Sequence, residues 1–383
     1  MAVVGLVGLG ASVAFASSTF TDVDEGRYYT DAVGWAADNG VTTGTSATTF
    51  SPENAVTRAQ NVTFAYRYDQ NVVQPALDGI DTAIDANTTA ADTAQMTAEA
   101  ADAPDRVVWV ADDGTGDFLL LSQALASIVD ASVSNPYVVR IAPGVYTETS
   151  PVALKTYVDV EGSGQGVTAI TCECASGSYD ASSATVSAGN IVAEIRHLTI
   201  NNTGGDDISI GVNTEDVVDG SVSMMNVTAT GTGGTTHNYG VRNDSSSPSM
   251  MNVTATGTGG TTSSYGVYNR VSSSPSMMNV TATATGGTTS YGVHNDESSS
   301  PSMTNVTATA TGGTTSRGVN NDESSPSIRN SSFTGGTSSI YNSGSSSALV
   351  ADTMLDGTVA AGGGLTCVGA YTEAFVALDA SCG

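Results

Sequence analysis

The clearest order in the chain is an alternation of apolar or small residues with polar ones, bounded by Gly, Ser and Thr, between residues 223 and 342. Met251, Val253 and Ala255 fall on one face of such a segment, and a Tyr-Gly-Val-x-Asn segment follows, with Val267 between polar flanks. Period-two alternation between turn residues predicts strands. The whole block then repeats. Asn226, Asn252, Asn279, Asn305 and Asn330 recur at spacings of 26, 27, 26 and 25, and Gly240, Gly266, Gly292 and Gly318 recur every 26 residues. A period in the twenties is that of a solenoid. Two short strands and their turns fill one coil of a parallel β-helix, with coils stacked at about 4.8 Å.

Stacked coils predict columns of like residues. Met225, Met251 and Met278 are expected to stack inside, as are Val227, Val253, Val280 and Val306, with Ala229, Ala255, Ala282 and Ala308 two residues on. Asn243, Asn269, Asn295 and Asn321 form a column whose amides are placed to hydrogen-bond along the axis. The preceding position changes from coil to coil as Arg242, Tyr268, His294 and Asn320, which predicts that it faces solvent. Tyr239, Tyr265 and Tyr291 also recur at 26; pointing outward they would make a glycan-stacking stripe, and pointing inward they would be core.

Composition narrows the class. The 383 residues carry 38 acidic and 11 basic side chains, a formal charge of −27, and Lys155 is the single lysine. Such a surface repels nucleic acid and anionic membranes and suits an exported protein. Residues 1–16 are apolar and end in Ala14-Phe15-Ala16, which reads as an export signal too short to span a bilayer. Residues 69–105 are rich in Ala, Thr and Asp, with Leu77, Ile80 and Ile84 at helical spacing, and read as a solvated spacer.

Between them, residues 17–68 predict a helix over Thr30–Asp38 closed by Asn39-Gly40, then a capping box at Thr57 and Gln60 that opens a helix running to Tyr68. The Phe20-Thr21-Asp22-Val23 opening, the Trp35-bearing helix, the Phe50-Ser51-Pro52 turn and Thr57-Arg58-Ala59 resemble a single S-layer homology module. A guanidinium at a helix N-terminus is suited to an anion. The resemblance implies that Arg58, with Asp22 and Trp35, holds acidic cell-wall polymer or peptidoglycan, and that one module anchors weakly unless several chains act together.

Residues 106–383 carry a second resemblance. Asp113-Gly114-Thr115-Gly116-Asp117-Phe118, then Pro143-Gly144-Val145-Tyr146, then the glycine-rich turn before Thr168-Ala169-Ile170, are similar to the opening of pectin methylesterases and related pectin-lyase-like proteins. This implies a right-handed parallel β-helix of nine or ten coils, and residues 118–129 are expected to form a capping helix with Leu121, Leu125, Ile128 and Val129 on one face. The esterase, lyase and polygalacturonase catalytic motifs are not found after Ile170, so the reading leans away from catalysis while leaving it open. His197, His237 and His294 are scattered, which excludes an obvious zinc site. Asp206, Asp207, Glu215, Asp216 and Asp219 are the acidic candidates for acid–base work or calcium; no cofactor is otherwise implied.

Cys367 and Cys382 flank the last segment and are expected to close a disulfide around a C-terminal cap. Cys172 and Cys174 are two apart, where direct pairing would be strained; reduced thiols and a weak soft-metal pair are the alternatives, and the sequence leaves their pairing state open. The sequence thus predicts a mainly β protein: a small α-helical module, a spacer and a β-helix, exported to the cell surface and presenting a non-catalytic or adhesive solenoid.

Overall fold

The computed structural model describes residues 20–76, 106–217 and 221–382. The export signal, the spacer residues Leu77, Ile80 and Ile84, and Asp219 lie outside these. The chain divides into two compact units, residues 1–103 and 104–383.

In the first unit, helix α1 (Thr30–Asp38) buries Val33 against Phe20 and Val23, with Phe50 packed on Phe20 at 5.7 Å between ring centroids. It ends as expected at Asn39 and at Gly40, whose φ of 67° lets the Gly40 amide turn back to the Ala37 carbonyl. Helix α2 (Arg58–Tyr68) opens on a complete capping box: Thr57 Oγ1 accepts from the Gln60 amide at 3.2 Å, and Gln60 Oε1 accepts from the Thr57 amide at 2.8 Å. This helix buries none of its residues and exposes Val62 and Tyr66.

The second unit is a parallel β-helix. In a regular coil, strand Ser249–Met251 leads to Asn252, strand Thr254–Thr258 follows, and after a turn strand Ser263–Arg270 closes the coil. The first two belong to a 19-stranded sheet and the third to a nine-stranded sheet. The register is residue on identical residue, Met250 on Met277 and Ala255 on Ala282.

The methionine column differs from the sequence expectation by one residue. Met250, Met277 and Met303 are buried, whereas Met251 is 39% and Met278 44% exposed. The cause is the intervening asparagine. Asn226, Asn252, Asn279, Asn305 and Asn330 all have φ between 48° and 55°, a left-handed conformation that bends the chain and restarts the pleat. Two successive residues, Met251 and Asn252, therefore point outward before Val253 points in. These asparagines also join one another, each Nδ2 donating to Oδ1 of the preceding coil at 3.0 Å from Asn252 to Asn226, Asn279 to Asn252 and Asn305 to Asn279. Their Asn-Val-Thr spelling thus reflects a bend and an amide ladder.

A second ladder lies inside, where it was expected. Asn243 Nδ2 donates to Asn269, Asn269 to Asn295 and Asn295 to Asn321, each at 2.8 Å, and all four side chains are fully buried. The glycine column has an equally direct cause. A Cβ on Gly266 would stand 2.6 Å from the Gly292 carbonyl oxygen and 2.6 Å from the Thr283 amide nitrogen, so the two sheets meet there backbone to backbone.

Both ends are closed. Helix α3 (Leu121–Ser127) buries Leu121, Ala124 and Leu125 over the first coil. It is shorter than expected: Phe118 bridges to Val110, the chain turns extended at Ile128, and Val129 is 88% exposed. At the other end Cys367 and Cys382 are disulfide-bonded with Cα atoms 5.3 Å apart, and both are buried in the main core. Cys172 and Cys174, whose pairing the sequence left open, are also joined. Strand Thr168–Cys172 ends at the first of them, and the bend beyond brings the Cα atoms to 5.1 Å, which an extended strand would hold about 6.6 Å apart.

Candidate functional site

In the first unit Arg58 sits at the first position of α2 with its side chain exposed, and it makes no ion pair among the described residues. The capping box uses the Gln60 amide, and the remaining first-turn amides have no helical partner. A cation and a positive helix end thus coincide on one accessible spot. Asp22 is differently placed. Its two carboxylate oxygens accept from the Phe50 amide at 2.8 Å and the Ser51 amide at 2.7 Å, and these bonds, the Phe50 bond foremost, hold its pKa below the usual carboxylate value. It fastens the turn that leads toward α2. Trp35 is 38% exposed and lies 6.1 Å from the Tyr68 ring.

In the second unit the recurrent tyrosines point outward from the nine-stranded sheet. Tyr239 belongs to a small cluster apart from the main core, with Ile208, Ile210 and Ala184. The strand pairing passes over Gly240 and over its counterparts Gly211 and Gly266 alike, so the pleat is interrupted at the same point of each coil, with Val241 in the main core and Tyr239 outside it. This interruption brings Tyr239 and Arg242, three apart in sequence, to the same outer face. The position before the interior asparagine therefore is outward, but it is not solvated: Arg242 is 1% and Asn320 4% exposed. Neighbouring coils cover it. Tyr239 stacks on Tyr265 at 4.7 Å, Tyr265 on Tyr268 at 5.0 Å and Tyr268 on His294 at 4.9 Å. Ring faces thus meet one another both within a coil and between coils, and burial pushes the pKa of the Tyr265 hydroxyl up to about 12.

Next to this stack is a cleft of about 340 Å³ lined by Tyr179, His237, Tyr239, Arg242, Tyr265, Tyr268 and Arg270. Its arginines are held by acids: Arg242 pairs with Asp244, and Arg270 reaches Asp244 at 3.2 Å and Glu297 at 3.3 Å. Tyr268 donates to Asp296 at 2.8 Å.

His294 has both ring nitrogens buried without a partner. Burial lowers its pKa from 6.5 to about 3, outweighing the opposing pull of Asp322. The folded ring stays neutral while the unfolded chain takes up a proton near 6.5, so this residue's contribution is lost as pH falls from about 6.5 toward 3. The expected slope is about 1.4 kcal/mol per pH unit in that window. Urea denaturation of wild type and His294→Phe at pH 7 and pH 4.5 checks it: the variant should lose less stability on acidification, and equal losses would refute the assignment.

The acidic candidates do not converge. Asp206 and Asp207 precede strand Ile208–Glu215, and Glu215 and Asp216 end it, about 23 Å away at about 3.3 Å per residue. Among the described residues no group of three or more His, Cys, Asp or Glu side chains is placed to hold a metal ion. One arrangement had no motif to announce it. Trp109, Arg140, Glu161 and Arg196 are register partners on the outer face of the first coils. Glu161 accepts from Arg140 at 3.2 Å and from Arg196 at 3.3 Å beside a cleft of about 500 Å³ that also includes His197. Only the pairing register, not the sequence, brings these four together.

Each unit contains a match to a family model. Residues 19–60 match the S-layer homology domain and residues 107–243 match the Pectinesterase family. The chain joins an S-layer homology domain to a pectinesterase-family region. No curated protein matches. Among solved structures, pectin methylesterase from carrot is 17% identical with a TM-score of 0.37, covering 69% of this chain and 80% of that one. Pectin methylesterase PemA from Erwinia chrysanthemi is 13% identical with a TM-score of 0.37, covering 73% and 92%, and pectate lyase Pel9A is 12% identical with a TM-score of 0.45, covering 69% and 78%. At such values they say nothing about activity. The S-layer homology match takes in Arg58, Asp22 and Trp35. The pectinesterase match ends at Asn243, so the near-identical coils that follow, and most of the tyrosine stack, lie beyond it.

Proposed function

We propose that this is an exported, cell-surface protein that binds cell-wall polymer through its S-layer homology domain and holds out a non-catalytic β-helix. S-layer homology domains bind cell-wall polymers, which associates this chain with the wall. The observation that carries the reading is the exposed Arg58 on the capped N-terminus of α2, a ready anion site within the matched domain. The absence of burial along α2 supports anchorage by several chains together, because Val62 and Tyr66 are left to pack on something else. The non-catalytic part concerns the repeated coils, whose outer ladders present Asn, Ser, Met and Thr as a uniform polar surface.

Co-sedimentation of the full chain with isolated cell-wall sacculi tests this. Arg58→Ala is expected to lower the bound fraction at least about five-fold with unchanged circular dichroism, the scale of a lost charge-assisted bond. A second reading, in which the aromatic cleft itself contacts glycan, is favoured by its tyrosine and arginine lining. It predicts that Tyr265→Ala, not Arg58→Ala, loses the pellet. Release of methanol from methylated pectin would instead establish an esterase on the pectinesterase-family region.

A further inference from the structure

The outer face of the 19-stranded sheet carries a two-dimensional array that neither family accounts for. Beyond the asparagine bend, strands Thr254–Thr258, Thr281–Thr285 and Thr307–Thr311 each place threonine at alternate positions with Ala or Gly between them. The register aligns them into columns: Thr228, Thr254, Thr281 and Thr307; Thr230, Thr256, Thr283, Thr309 and Thr334; and Thr258, Thr285 and Thr311. The alanines between them are fully buried, so every threonine of a strand stands on the outside. No bond within the protein engages these side chains among the described residues. By contrast Thr261, in the adjoining turn, donates to the Thr235 carbonyl at 2.8 Å.

Charge gives an independent indication. The chain has a net charge of −27, yet the strands that carry the array contain no charged residue. The aromatic side chains of this region stack on the other sheet. What remains is an uncharged grid of paired methyl and hydroxyl groups, about 19 Å along its longest column and about 13 Å across from strand and residue spacing, bounded at one end by Asp356, the register partner of Thr334. Its repeats, about 4.8 Å along the solenoid and about 6.6 Å along each strand, lie within roughly a tenth of the oxygen repeats on a prism face of hexagonal ice.

We propose that this threonine face binds ice. The hydroxyls would occupy lattice positions while the methyl groups sit in the gaps between ordered waters, an arrangement that needs identical residues at fixed spacing and no charge to organise water differently. A neutral crystalline polysaccharide is the competing ligand, but it would be met by a row of aromatic faces, and this face has none.

The test uses the full chain in a slowly growing ice front, measuring the fraction incorporated, with pelleting on crystalline cellulose in parallel. Wild type is expected to concentrate in the ice. Thr283→Tyr, which raises a ring from the centre of the array, should lower incorporation at least ten-fold, and Thr256→Tyr in the adjacent coil should do the same. Ser302→Tyr, at an exposed position across the asparagine bend, should leave it unchanged. Circular dichroism identifies any variant that fails to fold, in which case the other reports. Exclusion of wild type from ice, or full incorporation of a folded Thr283→Tyr or Thr256→Tyr variant, overturns the proposal. Cellulose pelleting that Thr283→Tyr abolishes, without ice incorporation, overturns it in favour of the polysaccharide.

Discussion

Gly266→Ala is expected to destabilise the β-helix by about 3 kcal/mol, far more than one methyl group ordinarily costs. The atoms that the new Cβ would meet are the Gly292 carbonyl oxygen, the Thr283 amide nitrogen and the Ala282 carbonyl carbon, at 2.6, 2.6 and 2.8 Å. All are backbone and none can rotate aside, so relief requires prising the two sheets apart across neighbouring coils. Gly189→Ala is the matched control, because nothing lies within 4 Å of its Cβ position. Urea denaturation of the two variants should separate them clearly. A Gly266→Ala midpoint indistinguishable from that of Gly189→Ala would show that the sheets are not in contact there.

The second large effect is expected at the interior amide ladder. Asn295→Leu would leave the Asn269 Nδ2 donor and the Asn321 Oδ1 acceptor without partners, both fully buried. Stranding two such groups costs about 2–5 kcal/mol, against a net worth of about 1 kcal/mol for an ordinary hydrogen bond. The outer ladder should behave otherwise. Asn279 is exposed, so water can replace its lost bonds, and Asn279→Gly keeps the left-handed bend. That variant should stay within about 1 kcal/mol of wild type. Comparable losses for Asn295→Leu and Asn279→Gly would mean that burial does not distinguish the two ladders.

Repetition made most of the β-helix readable from the sequence. A residue recurring at the coil length must stack on its equivalents, so the valine, alanine and interior asparagine columns followed directly. Local capping chemistry did the same for α1 and α2. The failures share a different cause, which is that alternation records direction only while the pleat runs unbroken. Asn252 resets it with a left-handed step, so Met251 and Met250 exchange roles; at Gly240 the pairing lapses in every coil and the pleat is interrupted, so Tyr239 and Arg242 share a face. The variability of Arg242, Tyr268 and His294 suggested solvent, yet these unlike side chains cover one another and the tyrosines. At the candidate sites, the cap beneath Arg58 was legible, whereas the two amides that occupy Asp22 come from a turn about thirty residues away. Sequence proximity also overstated the acidic group, since one strand separates its halves.

The residue-on-residue register between coils also bears on how this protein can change over generations. Every regular coil presents the next one with the same buried valine, alanine and asparagine, so an inserted or deleted unit of about 26 residues meets familiar neighbours on both sides. The end structures, helix α3 and the disulfide-closed tail, are untouched by such an event. Copies this similar invite unequal exchange between them. Length then becomes a heritable variable, set by copy number in steps of about 4.8 Å and separable from the chemistry of either end.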